Sequence, residues 1–273
     1  MKPSMIRIPG IAFLLFHLIS CGGDSEDPSM SDEKNILSFS INGTEGTIDQ
    51  SLTTVSLELL ETDLSNLTPT ISVSANAEIS PASGVAQDFT SPVTYTVTAG
   101  NGSMVTYTVT VSSLIDAVTL AGQGYEIVFA NMSWANAADF AVSRGGFLAE
   151  INDQTEQEAI FDALMSASID NSNTVAPDGG DGSYVWIGGN DLGREGTWIW
   201  DGNNDNDGIQ FWMGDANGTA VDGLYNNWGN EPDDFQGQDG LGLALTNWPL
   251  GIAGEWNDVD HTNELYFVIE IAE

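Results

Sequence analysis

The chain has 273 residues, of which 40 are acidic and 5 basic, for a formal net charge of −35. That balance argues for no nucleic acid partner, because phosphate binding needs Lys and Arg. One cysteine and two histidines exclude an internal disulfide and a His-rich zinc centre.

Met1 to Arg7 is basic. An apolar stretch from Ile8 to Ile19 follows and ends in Leu18-Ile19-Ser20-Cys21. The stretch is too short for a finished membrane span and has the layout of an export signal. Its end resembles a bacterial lipobox, which implies cleavage before Cys21 and lipidation of that cysteine. Residues 1–20 then read as a lipoprotein signal peptide, and a lipid anchor holds the mature chain to the outer membrane. Residues 21–33 are acidic and polar with no apolar period, the composition of a flexible tether. An acidic run directly behind a lipid cysteine resembles the surface-export signal of Bacteroidetes lipoproteins, so the protein is expected at the cell surface. Cleavage leaves Lys34, Arg144 and Arg194 as the basic side chains. Unpaired carboxylates repel one another in a compact state, and bound divalent cations would relieve part of that.

Residues 34–113 alternate with period two. Leu37, Phe39 and Ile41 alternate with Ser38 and Ser40, and Val55, Leu57 and Leu59 with Ser56 and Glu58. Ile71 and Val73 follow Pro69. Tyr95 and Val97 lead into a hairpin around Gly100-Asn101-Gly102, beyond which Val105, Tyr107, Val109 and Val111 continue the pattern. Thr, Val and Tyr runs broken by Gly/Asn turns mark strands. About seven such strands make an all-β sandwich. The stretch Ile79 to Phe89, followed by Pro92 to Thr98, resembles Ig-like modules of Bacteroidetes surface lipoproteins, which implies a spacer.

Residues 114–273 change character. Trp134, Ala137, Ala138, Ala141 and Val142 share one helical face between Ser133 and Arg144, and Gly145-Gly146 stops the helix. Asp153-Gln154-Thr155-Glu156 is a capping box. It opens a second helix whose inner face is Ile160, Ala163, Leu164 and Ala167. Residues 168–183 are polar and Gly-rich and read as loop. Val185 to Gly188 and Trp198 to Trp200 read as short buried strands, and Leu265 to Ile271 as the last strand. A loop region from about 201 to 255 lies between them, and long loops are usually functional.

Residues 225–270 crowd carboxylates and amides among tryptophans, with no Lys or Arg. Hard oxygen donors suit Ca²⁺, which takes about 6–8 oxygens. The ordered pieces are the Trp134 helix, Gly145 to Ile151 with Glu156, Trp186 to Asp191, Glu195 to Gly202, Asn227-Trp228, Glu231-Pro232-Asp233, Trp256-Asn257-Asp258 and Tyr266 to Glu270. Together they resemble the C-type lectin domain, a compact α+β fold with two helices, small antiparallel sheets and a long calcium-binding loop. The resemblance implies a principal Ca²⁺ site at Glu231, Asp233, Gln238, Asn257 and Asp258, with a cis Glu231–Pro232 bond aiming both acids at one ion. It implies that Glu231, Asp233, Asn257 and Asp258 also bind vicinal hydroxyls of a sugar. It further implies an auxiliary Ca²⁺ site at Asp191, Glu195, Asp234 and Asp239.

The chain departs from the family in four places. Gln238 stands where a glutamate is usual, which removes one negative charge. Glu231-Pro232-Asp233 is a hybrid of the mannose-type and galactose-type motifs, so the sugar stays open. The four family cysteines are replaced near Ala141, Gly240, His261 and Ile269; each lost disulfide forgoes about 2–4 kcal/mol. Asn203, Asp205, Asp207 and Gly208 resemble the start of an EF-hand loop, but Gly214 replaces its closing glutamate, and an Asx-turn cluster accounts for them. Trp186, Trp198, Trp200 and Trp256 are expected in the core, whereas Trp212, Trp228 and Trp248 suit either sugar stacking or loop packing. The functional expectation is a cell-surface lipoprotein binding a glycan or glycoconjugate through Ca²⁺. The alternatives are an adhesin that binds protein on the same fold and, behind it, a carboxylate-based glycoside hydrolase.

Overall fold

The computed structural model describes residues 31–60, 63–120 and 122–272; the expected signal peptide, Cys21 and residues 22–30 of the tether lie outside them. Residues 36–113 form a β-sandwich. One sheet orders Thr44–Glu45, Ile36–Ile41 and Pro69–Val73; the other orders Thr47–Asp49, Thr54–Leu59, Met104–Ser113, Val93–Thr98 and Glu78–Ser80. Inward residues of both sheets make one core in which Phe39 meets Phe89 and Tyr95 edge-on at 6.4 and 5.8 Å. The 93–98 and 104–113 strands pair as a hairpin with Thr98 opposite Met104, as the Gly/Asn turn requires. Leu37 departs from the expected alternation. A bulge between Ile36 and Ser38 adds one residue to the strand, so Ile36 turns inward and Leu37 outward, 60% exposed.

The C-terminal region is built on an 11-stranded sheet. Its last strand, Leu265–Ile271, lies antiparallel to Gln123–Met132 (Tyr125 opposite Glu270) and parallel to Gly182–Asn190. Entry and exit of this region are thereby zipped together, which leaves the middle of the chain free to form the site. Two helices complete the fold. The first, α1, is Trp134–Ser143, capped by the Ser133 side chain, and it buries Trp134, Ala137, Ala138 and Ala141. Val142 is half exposed, because at about 100° per residue it sits at the edge of the Trp134 stripe. The second, α2, is Gln154–Ser166, capped by Asp153, with Ile160 and Leu164 inside. Glu156 reaches back to the Asn152 N–H at 2.7 Å, one residue earlier than a standard capping box.

The 201–255 region is not loop throughout. It contains strands Ile209–Met213, Thr219–Ala220 and Gly240–Ala244. The last reads Gly-Leu-Gly-Leu-Ala, with no β-branched residue to signal a strand, and its extended form comes from pairing on both sides, with 182–190 and with Trp256–Val259. Gly240 is required there: a Cβ would stand 2.9 Å from the Trp186 ring and 3.4 Å from His261 Cα. That close approach puts Gly240 and His261, two of the four family cysteine positions, side by side. Ala141 and Ile269, the other pair of positions, share one apolar core. The Asn203–Gly208 segment is an Asx cluster organised by buried Asp201, whose carboxylate accepts from the N–H of Asp205 and Asn206.

Candidate functional site

A strand and a loop bring the site together. Trp256–Val259 pairs with Gly240–Ala244, Leu241 opposite Asp258 and Gly242 opposite Asn257, and so holds two polar side chains in the interior. Asn257 is 2% exposed and Asp258 is fully buried. The 225–239 loop folds over this strand and is joined to it by a bridge between Trp228 and Trp256. Its Glu231–Pro232 bond is cis, as expected. Carboxylate oxygens of Glu231, Asp233 and Asp258 then lie within 4.8 Å of one another.

The hydrogen bonds around these acids are incomplete. Asp258 Oδ2 accepts from the N–H groups of Asp233 (3.0 Å) and Asp234 (2.7 Å). Glu231 Oε1 accepts from Trp248 Nε1 at 3.2 Å. Asn257 donates its Nδ2 to the Tyr184 hydroxyl at 3.0 Å, and that hydroxyl donates to Gly179 O at 2.6 Å. The remaining oxygens, Glu231 Oε2, Asn257 Oδ1 and Asp258 Oδ1, are buried and have no hydrogen-bond partner. Buried polar atoms are nearly always paired, so three orphaned acceptors, two of them on carboxylates of one cluster, need an explanation. Burial, opposed in part by the Asp234 N–H and reinforced by the Glu231 charge, pushes the Asp258 carboxyl up to about 8. Burial also raises Glu231 to about 7, with the Asp233 charge adding to it. An all-oxygen donor set, orphaned and crowded by like charge, fits a hard cation.

Gln238 is 2% exposed and lines the same cleft of about 150 Å³ as Glu231, Asp233 and Asn257. Trp248, one of the three loop tryptophans, borders this cleft, and Asp178 and Tyr184, which the sequence did not single out, belong to the same neighbourhood. Asp178 falls in the 168–183 stretch read as polar loop, and Tyr184 between that loop and the strand read from Val185. Only the fold sets them against Gln238 and Asn257. Gly179 is needed between them, since a Cβ would meet the Tyr184 ring at 2.9 Å and Asn257 Nδ2 at 3.2 Å.

A second group joins Asp191, Glu195 and Asp239, again with oxygens within 4.8 Å of one another. Asp191 Oδ2 accepts from the Gly196 N–H at 2.8 Å, while Oδ1 is buried without a partner. Burial lifts Asp191 to about 8, with Glu195 and Asp239 adding charge, and it also raises Glu195, where Asp234 and Asp239 add theirs. Asp234, expected here, is not among the three whose oxygens lie within 4.8 Å of one another, but of the neighbouring acids it exerts the strongest charge effect on Glu195. Its backbone turns left-handed (φ 52°), and its Oδ1 accepts from the Gln238 N–H at 3.1 Å. His261 Nδ1 lies 3.0 Å from Asp239 Oδ2.

The tryptophans divide clearly. Trp186, Trp198, Trp200 and Trp256 are buried core. Trp228 packs against Trp198 and Phe211 at 4.9 and 6.2 Å, and against Trp212 and Trp256, which makes it the hub of loop packing. Of the three loop tryptophans, Trp248 borders the cleft.

Residues 36–111 match a family model described as SGBP, N-terminal, and residues 130–268 match the Lectin C-type domain. Among solved structures, the mouse scavenger receptor C-type lectin carbohydrate-recognition domain is similar at 22% identity and TM-score 0.37, over 56% of this chain and 91% of that one. Human lithostathine is similar at 17% identity and TM-score 0.42, over 57% and 97%. A Ca²⁺-dependent type II antifreeze protein in its Ca²⁺-free form is similar at 18% identity and TM-score 0.39, over 57% and 98%. No curated protein matches the chain significantly. With its two helices, its zipped terminal strands and a lectin-domain match spanning just over half of its length, the chain belongs to the C-type lectin domain family.

Proposed function

We propose that the chain binds carbohydrate through a protein-bound Ca²⁺. Glu231, Asp233, Asn257 and Asp258 would hold the ion, with Gln238 as a neutral oxygen donor. One observation carries this reading: Glu231 Oε2, Asn257 Oδ1 and Asp258 Oδ1 are buried and unpartnered, and Glu231 and Asp258 belong to a cluster of three carboxylates. The ion would supply a Lewis-acidic centre for two vicinal sugar hydroxyls, and Glu231, Asp233, Asn257 and Asp258 would hydrogen-bond the same hydroxyls. Asp191, Glu195 and Asp239 would hold an auxiliary Ca²⁺ that stiffens the loop. The role is recognition rather than catalysis.

A second reading, an adhesin for protein, draws on the apolar rim of the cleft: Phe235 is 54% exposed and Leu250 38%. A glycan array probed with and without Ca²⁺ decides between them. Calcium-dependent spots support the lectin reading, and a blank array with calcium-dependent protein capture supports the adhesin. Lipidation at Cys21 and display on the outer membrane complete the proposal. Cys21→Ala should release the protein from the membrane fraction, and unchanged partitioning would remove the anchor.

A further inference from the structure

The Gln238 amide has one possible orientation. Its Nε2 end faces only acceptors, Asp178 Oδ2 at 3.0 Å and Asp178 O at 3.3 Å. Its Oε1 end faces a donor, the Phe235 N–H at 2.9 Å. Carboxylate and carbonyl oxygens accept and a backbone N–H donates, so the amide cannot be flipped without losing all three bonds. Water does not compete, because Gln238 is buried. Asp178 is itself held: Oδ2 also accepts from the Asp260 N–H at 2.7 Å, and Oδ1 accepts from Asn263 Nδ2. One carboxylate thus ties its own turn and the 260–263 turn to the loop that carries Glu231 and Asp233.

We propose that Asp178 is a positioning residue of the cation site, fixing the Gln238 amide so that glutamine, and not glutamate, fits position 238. The inference rests on the calcium reading given above. A glutamate there would set an anionic oxygen about 3 Å from the Asp178 carboxylate, in a setting with little solvent to screen it. The new carboxylate would rotate away or take up a proton, and either response withdraws it from the ion. An added carboxylate ordinarily tightens a calcium site. Next to Asp178 the sign reverses.

The test is calorimetric titration of CaCl₂ into the wild-type chain, Gln238→Glu, Asp178→Asn and the double variant, with melting curves in EDTA to establish that each is folded. Each single change should weaken Ca²⁺ about tenfold, the usual effect of losing an outer-sphere partner. The double variant should bind more tightly than Gln238→Glu alone, because its carboxylate no longer faces another; a purely structural role would instead give losses that multiply. Gln238→Glu binding as tightly as wild type, or a double variant equal to the product of the singles, overturns the proposal. If Gln238→Glu does not fold, undiminished calcium affinity in Asp178→Asn overturns it. A wild-type chain with no calcium response removes the proposal together with the reading beneath it. That outcome is distinct from a wild type that binds while its variants bind equally well.

Discussion

Asp258→Asn should have opposite effects with and without calcium. The amide is the same size, and its carbonyl can take over the acceptor role of Oδ2 toward the Asp233 and Asp234 N–H groups. Its NH₂ would replace the orphaned Oδ1 and face the Glu231 and Asp233 carboxylates. In the metal-free fold the Asp258 carboxyl is raised from 3.8 to about 8. A carboxyl raised on folding holds its proton more tightly in the folded state. Its contribution therefore favours the fold at low pH and is lost as pH rises from about 4 to about 8. At pH 7, about 3 units above the unfolded value, the loss for this fully buried group is about 4 kcal/mol, at roughly 1.4 kcal/mol per pH unit. An asparagine does not suffer it. In EDTA at pH 7 the variant should melt roughly 10 °C above wild type, at about 2–4 °C per kcal/mol for a region of this size, and the gap should close below pH 4. Calcium at a hundred times its Kd for this site should add about 2.7 kcal/mol to wild type, and the variant should lose that share and keep only what the Asp191 group contributes. Differential scanning calorimetry across pH 4–8, with and without calcium, reads both effects. A variant that melts below wild type in EDTA at pH 7, or that keeps the full calcium shift, refutes the reasoning.

Other expectations follow from the same groups. Calcium affinity should rise with pH through about 7 to 8, where Glu231 and Asp258 give up their protons. Titrations in buffers of different ionisation enthalpy should register proton release on binding, and equal heats in all buffers would contradict it. Tyr184→Phe removes the acceptor for Asn257 Nδ2 and the donor to Gly179 O. It should weaken calcium about tenfold by calorimetry, and unchanged affinity would show that Asn257 needs no such partner. Trp228→Ala should lower stability by about 3 kcal/mol in urea melts, since it opens the aromatic cluster. It should leave calcium affinity intact, and a selective loss of ligand binding with normal stability would restore sugar stacking as its role.

Much of the architecture was legible locally. Ser133 and Asp153 announce their helices because a short polar side chain before an apolar period has one obvious use. The 95–97 and 105–111 alternation reports a sheet with one face inside. Leu37 and Val142 were misplaced because a bulge and a stripe edge are local geometric details that composition does not signal. Gly240–Ala244 was missed for a different reason: its strand conformation is imposed by neighbours on both sides. The same holds for Asp178 and Tyr184, ordinary in their own segments and informative only beside Gln238 and Asn257.

The order and type of the oxygen donors from Glu231 to Asp258 are properties of the chain alone, as are the acidic excess and the change from period two to mixed patterning near residue 114. These depend on neighbours in sequence, so a linear reading reaches them. Which acids meet depends on the fold. Tertiary packing seats Glu231 against Asp258 and closes Asp191, Glu195 and Asp239 into a group. It hands an Asp234 oxygen to the Gln238 N–H and sets Asp178 against an amide 60 residues away. Convergence of distant segments follows from strand pairing and loop closure, which spacing along the chain does not encode.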